Sequence, residues 1–87
     1  MGVFIVERFL VDWSADDVDA LLHRLDDVGA QLAEHGVRHL GSIVIAADEA
    51  CLSLFEGPDA GAVLVANREC SLPTGRVLDA VTRRSDS

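Results

Sequence analysis

The first strand predicted from the sequence is apolar on both faces, and this feature restricts the fold more than any other. Residues 3–10 are mostly β-branched, aromatic or aliphatic, and the run is too short for a typical helix. Each face combines three apolar residues with one charged residue: Val3, Ile5, Glu7 and Phe9 on one, and Phe4, Val6, Arg8 and Leu10 on the other. Such a strand needs cover on both sides.

Start and stop signals place the other elements. Ser14 and Asp17 form a capping-box pattern that starts a helix at Ala15, and Gly36 is a typical left-handed stop for it. Gly29 lies in the apolar stripe of this helix, which predicts close packing on a sheet. The later elements are predicted as strands over residues 38–47 and 51–56, a helix over about residues 60–70 and a strand over residues 76–82.

The order strand, helix, strand, strand, helix, strand predicts an α+β, ferredoxin-like βαββαβ fold. It would occupy residues 1–82, with residues 83–87 as a flexible tail. Two helices can cover only one face of a four-stranded antiparallel sheet. Because the first strand is apolar on both faces, we expect a second copy to cover the other one, giving a homodimeric α+β sandwich or barrel.

Charge and length exclude several function classes. Fifteen acidic residues against seven basic ones give a net charge of -8, with no basic face for nucleic acid. No apolar stretch is long enough to cross a membrane, and no basic leader precedes the first strand, so we expect a cytoplasmic protein. Cys51 and Cys70 lack metal-site spacing and are predicted to be buried thiols. No nucleophile triad, phosphate loop or zinc-protease motif is present.

Glu7 and Glu56 are the most informative polar residues, because each interrupts an apolar strand. With the first and third strands adjacent, and expected to be parallel, the two carboxylates would approach one another. They could then share a proton, act as acid and base, or hold a cation. The alternative is that each forms an ion pair with a nearby arginine, of which there are three: Arg8, Arg38 and Arg76.

His39 at the start of the second strand has a similar pair of interpretations. It could act as a base, a metal ligand or a proton donor, or it could be a hydrogen-bonded structural group. The sequence therefore predicts Glu7 and His39 as catalytic candidates. The predicted ligand-binding residues are Glu7, Arg8, Arg38 and Glu56.

Four short segments together resemble a known family. They are Val6-Glu7-Arg8, Gly36-Val37-Arg38 leading to Ser42, Phe55-Glu56-Gly57-Pro58-Asp59, and Leu72-Pro73 followed by Arg76-Val77. In order and spacing they resemble a small ferredoxin-like domain-of-unknown-function family (DUF 4242), some members of which are described as nickel-binding. The resemblance spans residues 3–81 and implies a cytoplasmic homodimer.

The resemblance also implies a divalent metal such as nickel as cofactor. Family histidines align with Gly41 and Ala66 here, and neither residue has a side chain that can bind a metal. His39 is two residues from Gly41 and is predicted to share its strand face. The displaced ligand set expected here is therefore His39, Glu7 and Glu56, because nickel favours imidazole with carboxylate or water.

Three functions are compatible with these features. The first is a homodimeric binding protein that holds a metal ion or a small apolar ligand between its sheets. The second is a cofactor-independent dimeric α+β barrel enzyme, such as an isomerase, cyclase or oxygenase, acting on a hydrophobic metabolite. Glu7 or His39 would then be the base, and Arg8 or Arg38 would bind an anionic group. The third is a structural dimer whose sheets pack without a cavity.

Overall fold

The fold is known from a computed structural model that describes residues 1–83; part of the predicted tail, residues 84–87, lies outside the described residues. The strands and helices follow one another in the predicted order. Their bounds are β1 (Gly2–Phe9), α1 (Ala15–Asp27), α2 (Gly29–Ala33), β2 (Arg38–Ile45), β3 (Ala50–Gly57), α3 (Ala60–Glu69) and β4 (Val77–Ala80). A single 3₁₀ turn, Ala46–Asp48, joins β2 to β3. None of the helices in the described chain is both long and apolar enough to span a membrane.

The four strands form one antiparallel sheet in the order β2-β3-β1-β4, with helices packed against it. This confirms the predicted α+β, ferredoxin-like fold. The expectation that β1 and β3 are parallel is wrong, because Gly2 pairs with Gly57 and Phe9 with Ala50. A crossover through α1 and α2 leaves β2 parallel to β1, and the β2-β3 hairpin then reverses the chain, so β3 must run against β1.

The predicted first helix begins as expected and is interrupted near its end. The Ser14 side chain accepts a hydrogen bond from the backbone of Asp17, whose carboxylate accepts one from the backbone of Ser14. The helix breaks at Val28, and Gly36, at φ +70, ends the segment after α2. Close packing at Gly29 is wrong, because a Cβ built there would meet no atom within 4 Å. Gly29 instead follows the break, where its low helix propensity matters least.

The core lies between the helices and one face of the sheet. Alternate residues of β1 and β3 point toward the helices, which contribute the apolar residues of their inner faces. The main buried apolar residues are Phe4, Val6, Leu21, Leu25, Leu32, Val37, Cys51, Phe55, Val63, Ala66, Cys70 and Leu72. Both cysteines are free and buried, as predicted. Burial raises the pKa of the Cys70 thiol, which therefore acts as a small apolar group.

The opposite side of the sheet, here called the open face, carries no helix. Strand pairing assigns its residues: Val3, Ile5, Glu7, Phe9, Arg38, Gly41, Ile43, Ile45, Ala50, Leu52, Leu54, Glu56, Leu78 and Ala80. Ile43 is 66% exposed and Phe9 61% exposed in the single chain. Most of this face is apolar, which is unusual for a sheet surface in contact with water.

Candidate functional site

Arg8 lies in the core beneath the helices. Its side chain is fully buried and donates three hydrogen bonds to neutral partners. These bonds run to Ser53 Oγ at 3.2 Å, Pro73 O at 2.7 Å and Asn67 Oδ1 at 2.8 Å. The predicted role of Arg8 as a binding group on the open face requires the other side of β1, so the structure does not support it.

The burial of Arg8 has an electrostatic consequence. Removal from water lowers the pKa of Arg8 to about 10, while the nearby Cys51 acts in the opposite direction. The guanidinium therefore stays charged at neutral pH. Its charge is dispersed over three neutral oxygens and the face of Phe55, whose centroid is 5.8 Å away. This arrangement ties β1 to β3, to α3 and to the segment before β4.

His39 also lies on the helix side of the sheet, at the far end of the same hydrogen-bonded group. Its Nε2 is 2.8 Å from Ser42 Oγ, which is 2.8 Å from Ser53 Oγ and so leads to Arg8. The prediction that His39 shares a face with Gly41 is wrong. An irregularity between these residues shifts the register of β2, so His39 pairs with Phe55 and Gly41 with Leu54. We call Arg8, Ser53, Ser42 and His39 the polar chain.

The hydrogen bonds of the polar chain can all run in one direction, from Arg8 to His39. Arg8 can only donate, so Ser53 accepts from it and can donate its own proton to Ser42. Ser42 can then donate to Nε2 of a neutral His39. Burial is the largest cause that lowers the pKa of His39, and the charge of Arg8 adds to it, while a hydrogen bond with the Gly41 backbone opposes them. The neutral imidazole is thus the form that can accept the hydrogen bond from Ser42 at the end of the polar chain.

Acidification should therefore destabilise the protein through His39. Because its folded pKa lies below 6.5, the unfolded state binds the proton first, and the free energy of unfolding falls as pH drops from about 6.5 through the folded pKa. We expect His39→Gln to flatten this part of the curve in urea unfolding between about pH 5 and pH 8. His23→Gln, on the exposed side of α1, is the control. An unchanged slope in His39→Gln would contradict the assignment.

The two predicted carboxylates lie on the open face but far from one another. Glu7 is opposite Leu52 and Glu56 is opposite Val3, four positions along the paired strands, or roughly 13 Å. Each forms an ion pair instead. Arg76 donates to Glu7, and Arg38 lies 3.5 Å from Glu56. The ion-pair alternative raised by the sequence is therefore the arrangement observed, and a shared proton between these two carboxylates is excluded within one chain.

The predicted metal ligands do not meet within one copy of the chain. Glu7 and Glu56 are at opposite ends of the open face, and His39 is on the other side of the sheet. Across residues 1–83, no three His, Cys, Asp or Glu side chains are grouped in a way that could hold a metal ion. The cause is again the antiparallel pairing of β1 with β3, together with the shifted register of β2.

A shallow groove crosses the open face beside Gly41. Its volume is about 280 Å³, and its walls are mainly aliphatic side chains from three strands. The chief contributors are Ile5, Ile43, Leu52 and Leu54. A Cβ at Gly41 would meet no atom within 4 Å, so the missing side chain leaves this space open. The groove can hold an apolar group, and no charged residue lines it.

Sequence reasoning missed Ser42, Ser53 and Asn67, which complete the polar network around Arg8. A signal for two of them was present. Ser53 has the same strand parity as the buried Cys51, and Asn67 follows Val63 by four residues, so it shares the inward face of α3. A polar residue at an inward position needs a partner, and Arg8 is that partner.

Comparison with known proteins identifies a similar fold. No protein-family model matches the chain, and no curated protein matches its sequence significantly. The crystal structure of SCO4226 from Streptomyces coelicolor A3(2) superimposes with a TM-score of 0.73 at 16% sequence identity. The match covers 94% of this chain and 99% of that one. At this identity the similarity establishes a shared fold.

Proposed function

We propose that the protein is a small homodimeric binding protein that holds an apolar ligand between its open face and that of a second copy. The observation that supports this most directly is the apolar character of the open face. Ile43 and Phe9 are mostly exposed there, while Val3, Ile5, Leu52 and Leu54 are half-buried. A surface of this kind is stabilised by removal from water.

A second copy is the occupant that best fits the size of this face. Three of its four strands contain eight residues. The fourth, β4, contains four. At about 3.3 by 4.8 Å per residue, the sheet covers roughly 440 Å² in projection. Side-chain relief increases the accessible area, so two such faces approach the roughly 1,200–2,000 Å² of stable interfaces. Sheets that pack face to face in this way form the sandwich predicted from the sequence.

The charges at the ends of the open face favour pairing between identical copies. One end carries the pair Glu7 and Arg76, and the other carries Glu56 and Arg38. If a twofold axis passes through the middle of the sheet, both copies contribute the same two ion pairs. Formation of the dimer then buries no unpaired charge. The apolar centre and the charged ends have the distribution typical of a protein interface.

The apolar ligand is supported by the groove beside Gly41. Its volume of about 280 Å³ is just below the roughly 300–1,000 Å³ of typical ligand sites. A second copy would close the open side and add its own groove. The enzyme and metal alternatives receive less support. The metal alternative needs His39 beside Glu7, but the sheet separates these residues. The enzyme alternative needs a base and an arginine together on the open face, where Glu7 and Arg38 lie at opposite ends.

A side chain placed at Gly41 should fill the groove and reduce the binding of an apolar ligand. Gly41→Leu should weaken binding of the uncharged fluorescent probe phenylnaphthylamine by at least about tenfold, because leucine occupies the space that the probe needs. Gly29→Leu is the matched control, since Gly29 is also free of neighbours but lies on the helix side. If Gly29→Leu is the variant that weakens binding, the probe is on the wrong side of the sheet and the proposal fails.

Calorimetry separates the metal alternative from the apolar one. We expect no saturable heat when nickel is added to the intact protein. Saturable binding that is weakened by Glu7→Gln or Glu56→Gln would instead support a metal site completed by the second copy.

The cytoplasmic location inferred from the sequence is also part of this proposal. It is checked by fractionation of cells that produce the tagged full chain.

A further inference from the structure

A second cleft lies on the helix side of the sheet, remote from the open face. It has a volume of about 470 Å³ and lies between α1 and residues 71–73. Trp13, Ala20 and Leu21 line one side, and Pro73 lines the other. The volume is within the range of small-molecule sites. No residue of the polar chain or of the open face lines this cleft.

The aromatic wall is the first indication of a ligand. Trp13 lines the cleft and is 37% exposed, so an indole surface remains available beside Pro73. The sequence suggests that Trp13 packs against Val18 as a hydrophobic staple at the start of α1. With 37% of the residue exposed, part of the ring remains accessible whether or not it makes this contact. Planar aromatic ligands gain stability by stacking on such surfaces.

The charges that line the cleft favour a carboxylate. Arg24 and Asp17 are the charged residues there. Asp17 already accepts a hydrogen bond from the backbone of Ser14 at the positive end of α1. Arg24 donates through Nη2 to Cys70 O at 2.7 Å, which positions its guanidinium while leaving its other N–H groups for a ligand. A fixed guanidinium is well suited to bind a carboxylate.

The opposite wall is held in place from the core. Arg8 donates to Pro73 O at 2.7 Å, and Gly75 N donates to Glu7 O at 2.8 Å. Ser71, which also lines the cleft, has the left-handed backbone value φ 56. These contacts give the wall a defined shape before any ligand arrives. Preformed walls reduce the ordering required for binding.

We propose that the cleft binds a small aromatic carboxylate, with the ring against Trp13 and Pro73 and the carboxylate on Arg24. This proposal does not rest on the one made for the open face, because the two sites are on opposite sides of the sheet.

The test uses nuclear magnetic resonance of the full, ¹⁵N-labelled chain. Trp13 is the sole tryptophan, so the spectrum contains one indole N–H signal. Because Trp13 also lines a neighbouring cleft beside Val18 and Val44, the Arg24 variant below assigns the shifts to the cleft proposed here. Phenylacetate is added in one titration and its neutral analogue phenylacetamide in another. We expect saturable shifts of the Trp13 indole signal, with phenylacetate bound at least about fivefold more tightly.

Two variants assign the contacts. Arg24→Gln should remove the preference for phenylacetate and retain the weaker binding of phenylacetamide, while Arg68→Gln, an exposed change on α3, should retain the preference. Ile43→Glu, on the open face, should bind phenylacetate like the unaltered protein.

Four results would overturn the proposal. The first three are equal binding of the two probes, shifts that do not saturate, and a preference that survives Arg24→Gln in a folded protein. Tighter binding of benzylamine than of phenylacetate would also overturn it, because Asp17 would then be the selecting charge.

Discussion

Arg8→Met is expected to lower the free energy of unfolding by about 3 kcal/mol, the largest stability effect of any single change suggested here. Methionine retains most of the apolar stem but leaves acceptors on Ser53, Asn67 and Pro73 without their donor in a region closed to water. The melting temperature should fall by more than about 10 °C in a calorimetric or circular dichroism scan.

Two further variants show whether the lost hydrogen bonds are the cause. Arg68→Met removes an exposed arginine from α3 and should change stability by less than about 0.5 kcal/mol. Arg8→Met combined with Asn67→Leu replaces both members of one buried pair by apolar groups, so it should recover part of the loss. A single Arg8→Met variant as stable as the unaltered chain would show that the buried guanidinium contributes nothing to folding.

Ile43→Glu is expected to convert the proposed homodimer into a monomer of 9.3 kDa. The side chain is 66% exposed in the single chain, so glutamate is tolerated in the monomer. Within the proposed interface, however, the carboxylate would lose its contact with water. We expect the dissociation constant to rise by at least about a thousandfold, which corresponds to about 4 kcal/mol, as measured by sedimentation at micromolar concentration.

Val65→Glu is the matched control, because Val65 is an exposed apolar residue on the outer side of α3. It should leave the dimer intact. If the unaltered protein is a monomer at micromolar concentration, the proposed interface is wrong. The proposed apolar site is then wrong as well, because it lies within that interface. Dissociation of the dimer by Val65→Glu but not by Ile43→Glu would instead move the interface to the helix side.

The fold was predictable because its local signals agree with one another. The capping box at Ser14, the left-handed Gly36 and the Asp59 cap, which accepts a hydrogen bond from Ala62 N at 2.7 Å, all mark observed helix ends. The predicted direction of β1 against β3 was wrong although topology alone decides it. A hairpin after a right-handed crossover leaves no other arrangement.

The site was less predictable, for a different reason. A single register shift in β2 moves His39 to the opposite side of the sheet from Gly41, and such irregularities have no strong periodic signal. The choice of face for β1 was also open, because both of its faces are apolar. Only the packed structure shows that Arg8 points toward Asn67 and that Glu7 points away from the helices.

The polar chain also has a consequence for strand alignment. In most half-buried sheets, a slip of one residue would place polar side chains in the core, so hydrophobicity alone prevents it. Here Val44 and Ile43 are both apolar, and slippage of the edge strand β2 would meet little such resistance. The bond between Ser42 and Ser53 exists in only one alignment. The two serine hydroxyls thereby favour that alignment over its neighbours.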